Sequence, residues 1–132
     1  MLNVKKNIID ALIKHAKSEL PIEACGYFAE MNGEVSKIYT MKNIDNSSEH
    51  FSFDPKEQFE VIKDMRSKGY KTSAVFHSHP ETPARPSRED IQLAYDPNIS
   101  YVIISLAESE PVIKSFKIKD GTVTHEEINI IT

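Results

Sequence analysis

The chain has 132 residues, enough for one hydrophobic core and too few for two, so a single domain spanning residues 1–132 is expected. A hydrophobic fraction of 39% beside 27% charged residues is ordinary for a soluble globular protein and argues against disorder or a fibrous class. The net charge of -4, with lysines and arginines scattered among acids, leaves no basic footprint, so no nucleic-acid partner is expected.

Lys5 and Lys6 precede an apolar stretch that Asp10 and Lys14 interrupt, which is no signal-peptide core. Ile8, Ile9, Leu12, Ile13, Ala16 and Leu20 instead recur at helical spacing, predicting a helix from about Lys5 to Glu19 that Pro21 ends. Ala24–Met31 and Val35–Met41 suit strands, and Asn32-Gly33 between them favours a tight hairpin turn. Cys25, the single cysteine, excludes an intramolecular disulfide and fits a reducing compartment. Asp54-Pro55-Lys56-Glu57 offers an N-cap, a first-turn proline and a capping-box acid for a second helix that Gly69 closes. Thr72–Ser78 reads as a short buried strand and Glu81–Pro86 as a loop, after which Ser87 opens a third helix. Tyr101–Leu106, Val112–Ile118 and Thr122–Ile130 read as strands, the last two joined at Asp120-Gly121. No segment approaches the roughly 20 apolar residues of a membrane span, so no membrane partner and a cytoplasmic location are expected. Hairpins with intervening helices predict an α+β or mixed-sheet α/β fold.

His77 and His79 stand two apart at the end of an apolar strand, whose period of two points both imidazoles to one side. Ten residues further on, beyond a proline-rich loop, Asp90 could return a carboxylate to that pair. Two imidazoles and one carboxylate suit zinc and leave a fourth position for water, the pattern of a catalytic rather than a structural site. The plainer alternative makes Ser87 an N-cap and Asp90 an acid favouring the helix dipole. It leaves unexplained two histidines on one face of a buried strand, where each needs a partner. His15, His50 and His125 lack such company and read as surface or packing residues.

His77-Ser78-His79-Pro80 followed by Ser87-Arg88-Glu89-Asp90 resembles the HxHP and SxxD signature of the JAMM (MPN+, Mov34/PAD-1) metallopeptidases. Glu23-Ala24-Cys25-Gly26 matches that family's upstream ExxG element, and the order of elements agrees over nearly the whole chain. The resemblance implies a mixed central sheet flanked by helices, in the cytidine-deaminase-like JAMM/MPN architecture. It implies one Zn2+ per chain on His77, His79 and Asp90, with Glu23 as general base and Ser87 assisting at the oxyanion. Residue chemistry alone does not select Glu23 over Glu30, Asp45, Glu81 or Glu89. The resemblance further implies, as substrate, the C-terminal tail of a small ubiquitin-like or sulfur-carrier protein, because a chain this short has little room to grip a second ubiquitin. The strand leading to His77 is expected to align that tail by backbone pairing, and Arg85 and Arg88 to read a carboxylate on the leaving portion. After Gly26 the sequence Tyr27-Phe28-Ala29-Glu30 departs from the small or aliphatic residues of many relatives. Two rival readings are a non-catalytic scaffold of the same fold and a cysteine hydrolase with Cys25 as nucleophile; Glu23 beside the thiol argues against the latter, since a close carboxylate raises a thiol's pKa.

Overall fold

Thirteen residues of isolated helix are marginal in water, so α1 (Lys6–Ser18) depends on the face that carries Ile8, Ile9, Leu12 and Ala16, all buried. Burying each of the larger of these side chains contributes roughly 1.5–3 kcal/mol. The computed structural model describes residues 1–132 and surrounds that face with one mixed sheet. In chain order the elements are β1 (Leu2–Lys5), α1, β2 (Cys25–Met31), β3 (Glu34–Met41), α2 (Pro55–Ser67), β4 (Lys71–His79), α3 (Arg88–Gln92), β5 (Ser100–Ser105), β6 (Val112–Lys119), β7 (Thr122–Glu126) and β8 (Ile128–Ile131).

The strand order is β7-β6-β5-β4-β2-β3-β1-β8. β4 lies inside the sheet, antiparallel to β2 and parallel to β5. Its alternation sends Ala74 and Phe76 into the α1 core with Phe28, Val102 and Ile104. The opposite face packs in two smaller clusters, Tyr27, Ala29 and Met41 with Met65 of α2, and Ile103, Phe116 and Ile118 with Ala84 from the loop before α3. Both hairpin turns are of the expected kind, with Asn32-Gly33 and Asp120-Gly121 each holding two positive φ angles.

Two expectations change, one strand is new and the third helix is short. β1 was not foreseen: four residues beside a helix are too few to show a strand period. The expected strand Thr122–Ile130 is two strands, β7 pairing with β6 at one edge of the sheet and β8 pairing with β1 at the other. Only Glu127 separates them. Two Cα steps span about 7 Å, so the two edges of the sheet come together there and the sheet curls around α1. The third helix is a single short turn-and-a-half, Arg88–Gln92. Glu57, finally, does not close a capping box; its Oε1 accepts the Lys42 N–H at 3.1 Å, while Asp54 caps α2 alone.

Gly26 fixes how closely β2 lies against its neighbours. A Cβ there would fall 2.0 Å from the Tyr39 carbonyl oxygen and 2.6 Å from two Phe76 ring atoms. The obstacle includes backbone, which cannot swing aside. Gly26→Ala is therefore expected to lower stability by about 1–3 kcal/mol or more, read as a reduced urea midpoint, and an unchanged midpoint would contradict this packing.

Candidate metal centre

Because β4 is hydrogen-bonded on both sides, His77 and His79 stand on a rigid strand, with Cys25 and Ile103 flanking His77 in register. Leaving the strand, the chain is tied down at once. The Leu106 N–H donates to the His79 carbonyl at 3.1 Å, and Ser105 Oγ donates to the Thr82 carbonyl at 2.6 Å. Ala84 is buried under the loop. These anchors present the Pro83 carbonyl to His79 Nδ1 at 2.9 Å. A carbonyl only accepts, so Nδ1 carries the hydrogen and Nε2 keeps its lone pair.

Ser87 and Asp90 form a reciprocal capping box at the start of α3. Ser87 Oγ accepts the Asp90 N–H at 3.0 Å, and the Ser87 N–H donates to Asp90 Oδ2 at 2.9 Å. That exchange aims the carboxylate at the histidines. Asp90 Oδ2 lies 3.1 Å from His77 Nε2 and 3.2 Å from His79 Nε2, and the two nitrogens are 3.1 Å apart. One side chain thus caps a helix and meets both imidazoles.

Three electron-pair donors at the corners of a near-equilateral triangle fit a cation. Ligands at about 2.0–2.1 Å from a tetrahedral ion are about 3.3 Å from one another, close to the spacing found. A proton on one imidazole would satisfy one edge of the triangle; an ion held by all three satisfies every edge. No other group of three or more histidine, cysteine or acidic side chains converges in this way. Burial alone would raise the Asp90 carboxyl, but His77, His79 and the Ser87 N–H together hold it far below the usual range. Burial would lower His79, and Asp90 with the Pro83 carbonyl outweighs it and raises the imidazole.

Glu23 lies beside this centre although Ala24 and Ser78, which join its segment to β4, are 54 positions apart. The Ser78 N–H donates to the Ala24 carbonyl at 2.9 Å, and the Ala24 N–H donates to Ser78 Oγ at 2.7 Å. These bonds continue the β2–β4 register past Cys25↔His77 and set Glu23 opposite His79. Glu23 is only 3% exposed, and its Oε1 has no hydrogen-bond partner. Burial pushes its carboxyl up to about 8, with His79 opposing and Asp90, Glu89 and Glu49 adding to the rise. An orphaned buried carboxyl is costly and calls for a further polar group beside it.

Ser87 is exposed at the rim, and as its Oγ accepts the Asp90 N–H its own hydrogen is free to donate. Arg85 and Arg88 are exposed on either side of it. Of the other acids, Asp45 is engaged away from the centre by His50 at 2.9 Å and Ser52 at 2.7 Å. His15 packs edge-on to Phe76 and His125 edge-on to Phe116, as expected of packing residues. Three residues escaped the sequence reading. Phe51 stacks on His77 with ring centres 4.8 Å apart, Ser78 clasps Ala24, and Asn43 is buried near Glu23. For Ser78 the signal existed, since the residue between two same-face histidines must face the other way. An apolar groove of about 490 Å³ adjoins the centre, with His77 and Asp90 in its wall beside Tyr27, Phe53, Ile62 and Tyr101.

The Glu23 carboxyl carries a pH signature. Between the ordinary value of 4.5 and about 8, the metal-free folded protein keeps a proton there that the unfolded chain has released, so this group makes stability fall as pH rises through that window. Glu23→Gln removes the titration. In chelator, the variant should melt above the parent by an interval that widens from about pH 5 to about pH 8. Calorimetry showing parallel melting curves across that range would remove the buried carboxyl from the account.

Residues 5–119 match the family model described as prokaryotic homologs of the JAB domain. The chain is 31% identical over 134 residues to the CysO-cysteine peptidase of Mycobacterium tuberculosis, covering 99% of this chain and 92% of the relative. It is 30% identical over 95 residues to a probable TtuB-protein conjugate cleaving protease of Thermus thermophilus, covering 71% and 64%. Among solved structures, a Desulfitobacterium hafniense protein superposes with a TM-score of 0.90 at 47% identity, over 99% of this chain and 93% of that one.

Proposed function

The chain belongs to the family of prokaryotic JAB-domain proteins, and on that premise we propose that it is a zinc metallopeptidase cutting a peptide or isopeptide bond at the C-terminal tail of a small ubiquitin-like or sulfur-carrier protein. One observation carries the reading: His77, His79 and Asp90 converge within 3.2 Å beside the orphaned buried carboxyl of Glu23. Two imidazoles and a carboxylate favour zinc over harder cations, one ion per chain. Zinc held there supplies Lewis acidity toward water and an amide carbonyl.

The remaining steps belong to the chain's own residues. Glu23, as carboxylate, takes the proton of the attacking water and passes it to the leaving amine. Ser87 donates its free hydrogen to the carbonyl oxygen as charge develops there. Cys25 is a poor rival nucleophile: it is fully buried, burial pushes its thiol up to about 12, and Sγ faces the Met41 carbonyl at 3.7 Å. A scaffold has no need of three repelling donors and a buried carboxyl.

The substrate class is supported by the relatives, one named a CysO-cysteine peptidase and one a probable TtuB-protein conjugate cleaving protease. The strand that bears His77 has no edge free to pair with the tail, because β2 and β5 occupy both sides of β4. The groove beside His77 and Asp90 is the available channel for an extended tail. Glycines next to the cleaved bond would suit the approach to a recessed centre, and Arg85 or Arg88 would meet a carboxylate on the leaving portion.

Elemental analysis of purified protein should find about one zinc per chain, lost in the His77→Ala, His79→Ala double variant. Glu23→Gln should keep zinc and fold while turnover drops about 10²–10⁴-fold. Near-normal turnover in that variant would transfer the base to another residue.

Intact-mass measurement tests the substrate. A carrier protein ending in a diglycine tail with a short extension should lose the extension, dependent on zinc and Glu23. Efficient cutting of unrelated unfolded peptides without preference for that tail would make this a general peptidase.

A further inference from the structure

Glu23 precedes β2 and has no ladder of its own, so something else must hold its peptide while its side chain stays aimed. We infer that Asn43 is the positioning residue for Glu23, acting through its backbone; this rests on the reading of Glu23 as general base. Asn43 lies just after β3 and is 3% exposed. Its Nδ2 donates to the Glu23 carbonyl at 3.1 Å and the His50 carbonyl at 3.0 Å, with the Ser47 carbonyl at 3.4 Å. Its Oδ1 accepts the Asp45 N–H at 3.0 Å and the Ser52 N–H at 3.3 Å. The partners dictate the orientation of the amide, because carbonyls need the NH₂ and amides need the oxygen.

The same loop closes on Glu23 from the other side. The Glu23 N–H donates to the Ser47 carbonyl at 2.8 Å. Glu23 therefore has both its own N–H and its own carbonyl held by residues 43–47, while the next N–H, that of Ala24, is held by Ser78. Connections as long as residues 42–54 without regular structure are uncommon unless they serve function. Here one buried side chain organises the connection and fastens it to the residue whose aim matters. Asn43 touches none of the three donors, whose supports are β4, the Pro83 loop and the capping box.

Asn43→Asp isolates the donor half. It preserves shape and Oδ1, and sets a carboxylate oxygen against the carbonyls of Glu23, His50 and Ser47. The expected result is a kcat lower by about tenfold to a hundredfold, as for a misplaced catalytic group, with KM and zinc content unchanged. The decisive readout is a double-mutant cycle under single-turnover conditions. If Asn43 acts through Glu23, Asn43→Asp changes the residual rate of Glu23→Gln by less than about twofold. An equal fall in both backgrounds, or no fall in the parent, overturns the inference. Should Asn43→Asp fail to fold by circular dichroism, Asn43→Ser enters the same cycle with the same criteria. Near-normal turnover of Glu23→Gln alone would strike the functional reading instead, so the two failures are distinct.

Discussion

Two imidazole nitrogens and a carboxylate oxygen held 3.1–3.2 Å apart repel one another unless positive charge lies among them, and the surrounding structure is arranged to withstand that repulsion. The histidines are on an interior strand that cannot bend away. The carboxylate is held by a helix cap, and the imidazole of His79 by a carbonyl in a proline-braced loop. A cation that joins the three donors in the folded chain has no comparable site in the unfolded one, so binding and folding free energy are linked. Glu23, buried without a partner for Oε1, costs stability in the metal-free protein.

Close approach of β2 makes the arrangement possible. Gly26 lets Tyr39 and Phe76 fill the space a side chain would claim, so β2 settles into its register with β4 and the residues before it reach the donors. Ser78 then clasps Ala24 from the sheet side, while the loop after β3 clasps Glu23 from the other and lays Phe51 over His77. The centre is assembled from four separated parts of the sequence: residues 23–26, 43–51, 77–83 and 87–90. Each part is fastened to its neighbour by hydrogen bonds of its own.

What the sequence made legible was local. A period of two puts His77 and His79 on one face, and Ser87 reads correctly as an N-cap because capping depends on neighbours three residues away. Glu23 was legible only through resemblance, since its nearness to His79 comes from a strand register that no local pattern encodes. Asn43 reads as one more turn-former in a polar segment, and only burial distinguishes it. The break between β7 and β8 was hidden for a similar reason: Thr122–Ile130 is uniformly strand-like, and its division at Glu127 reflects two sheet edges meeting in space. The α1 face was plain because its 3.6-residue period lies wholly within one segment.

The pairing of β1 with β8 also sets an order of events. Leu2 stands opposite Ile128 in parallel register, and Asn129 Nδ2 donates to Asn3 Oδ1 at 3.1 Å across 126 residues of chain. Contacts so distant in sequence raise contact order and slow folding, because loop-closure entropy is lost before the contact repays it. During synthesis β2, β3, β4 and β5 can pair while the ribosome is still extending the chain, with every residue of the proposed metal centre already made. β1 can join β3 at Val4↔Val35 early, but its other edge stays unpaired until residues 128–131 arrive.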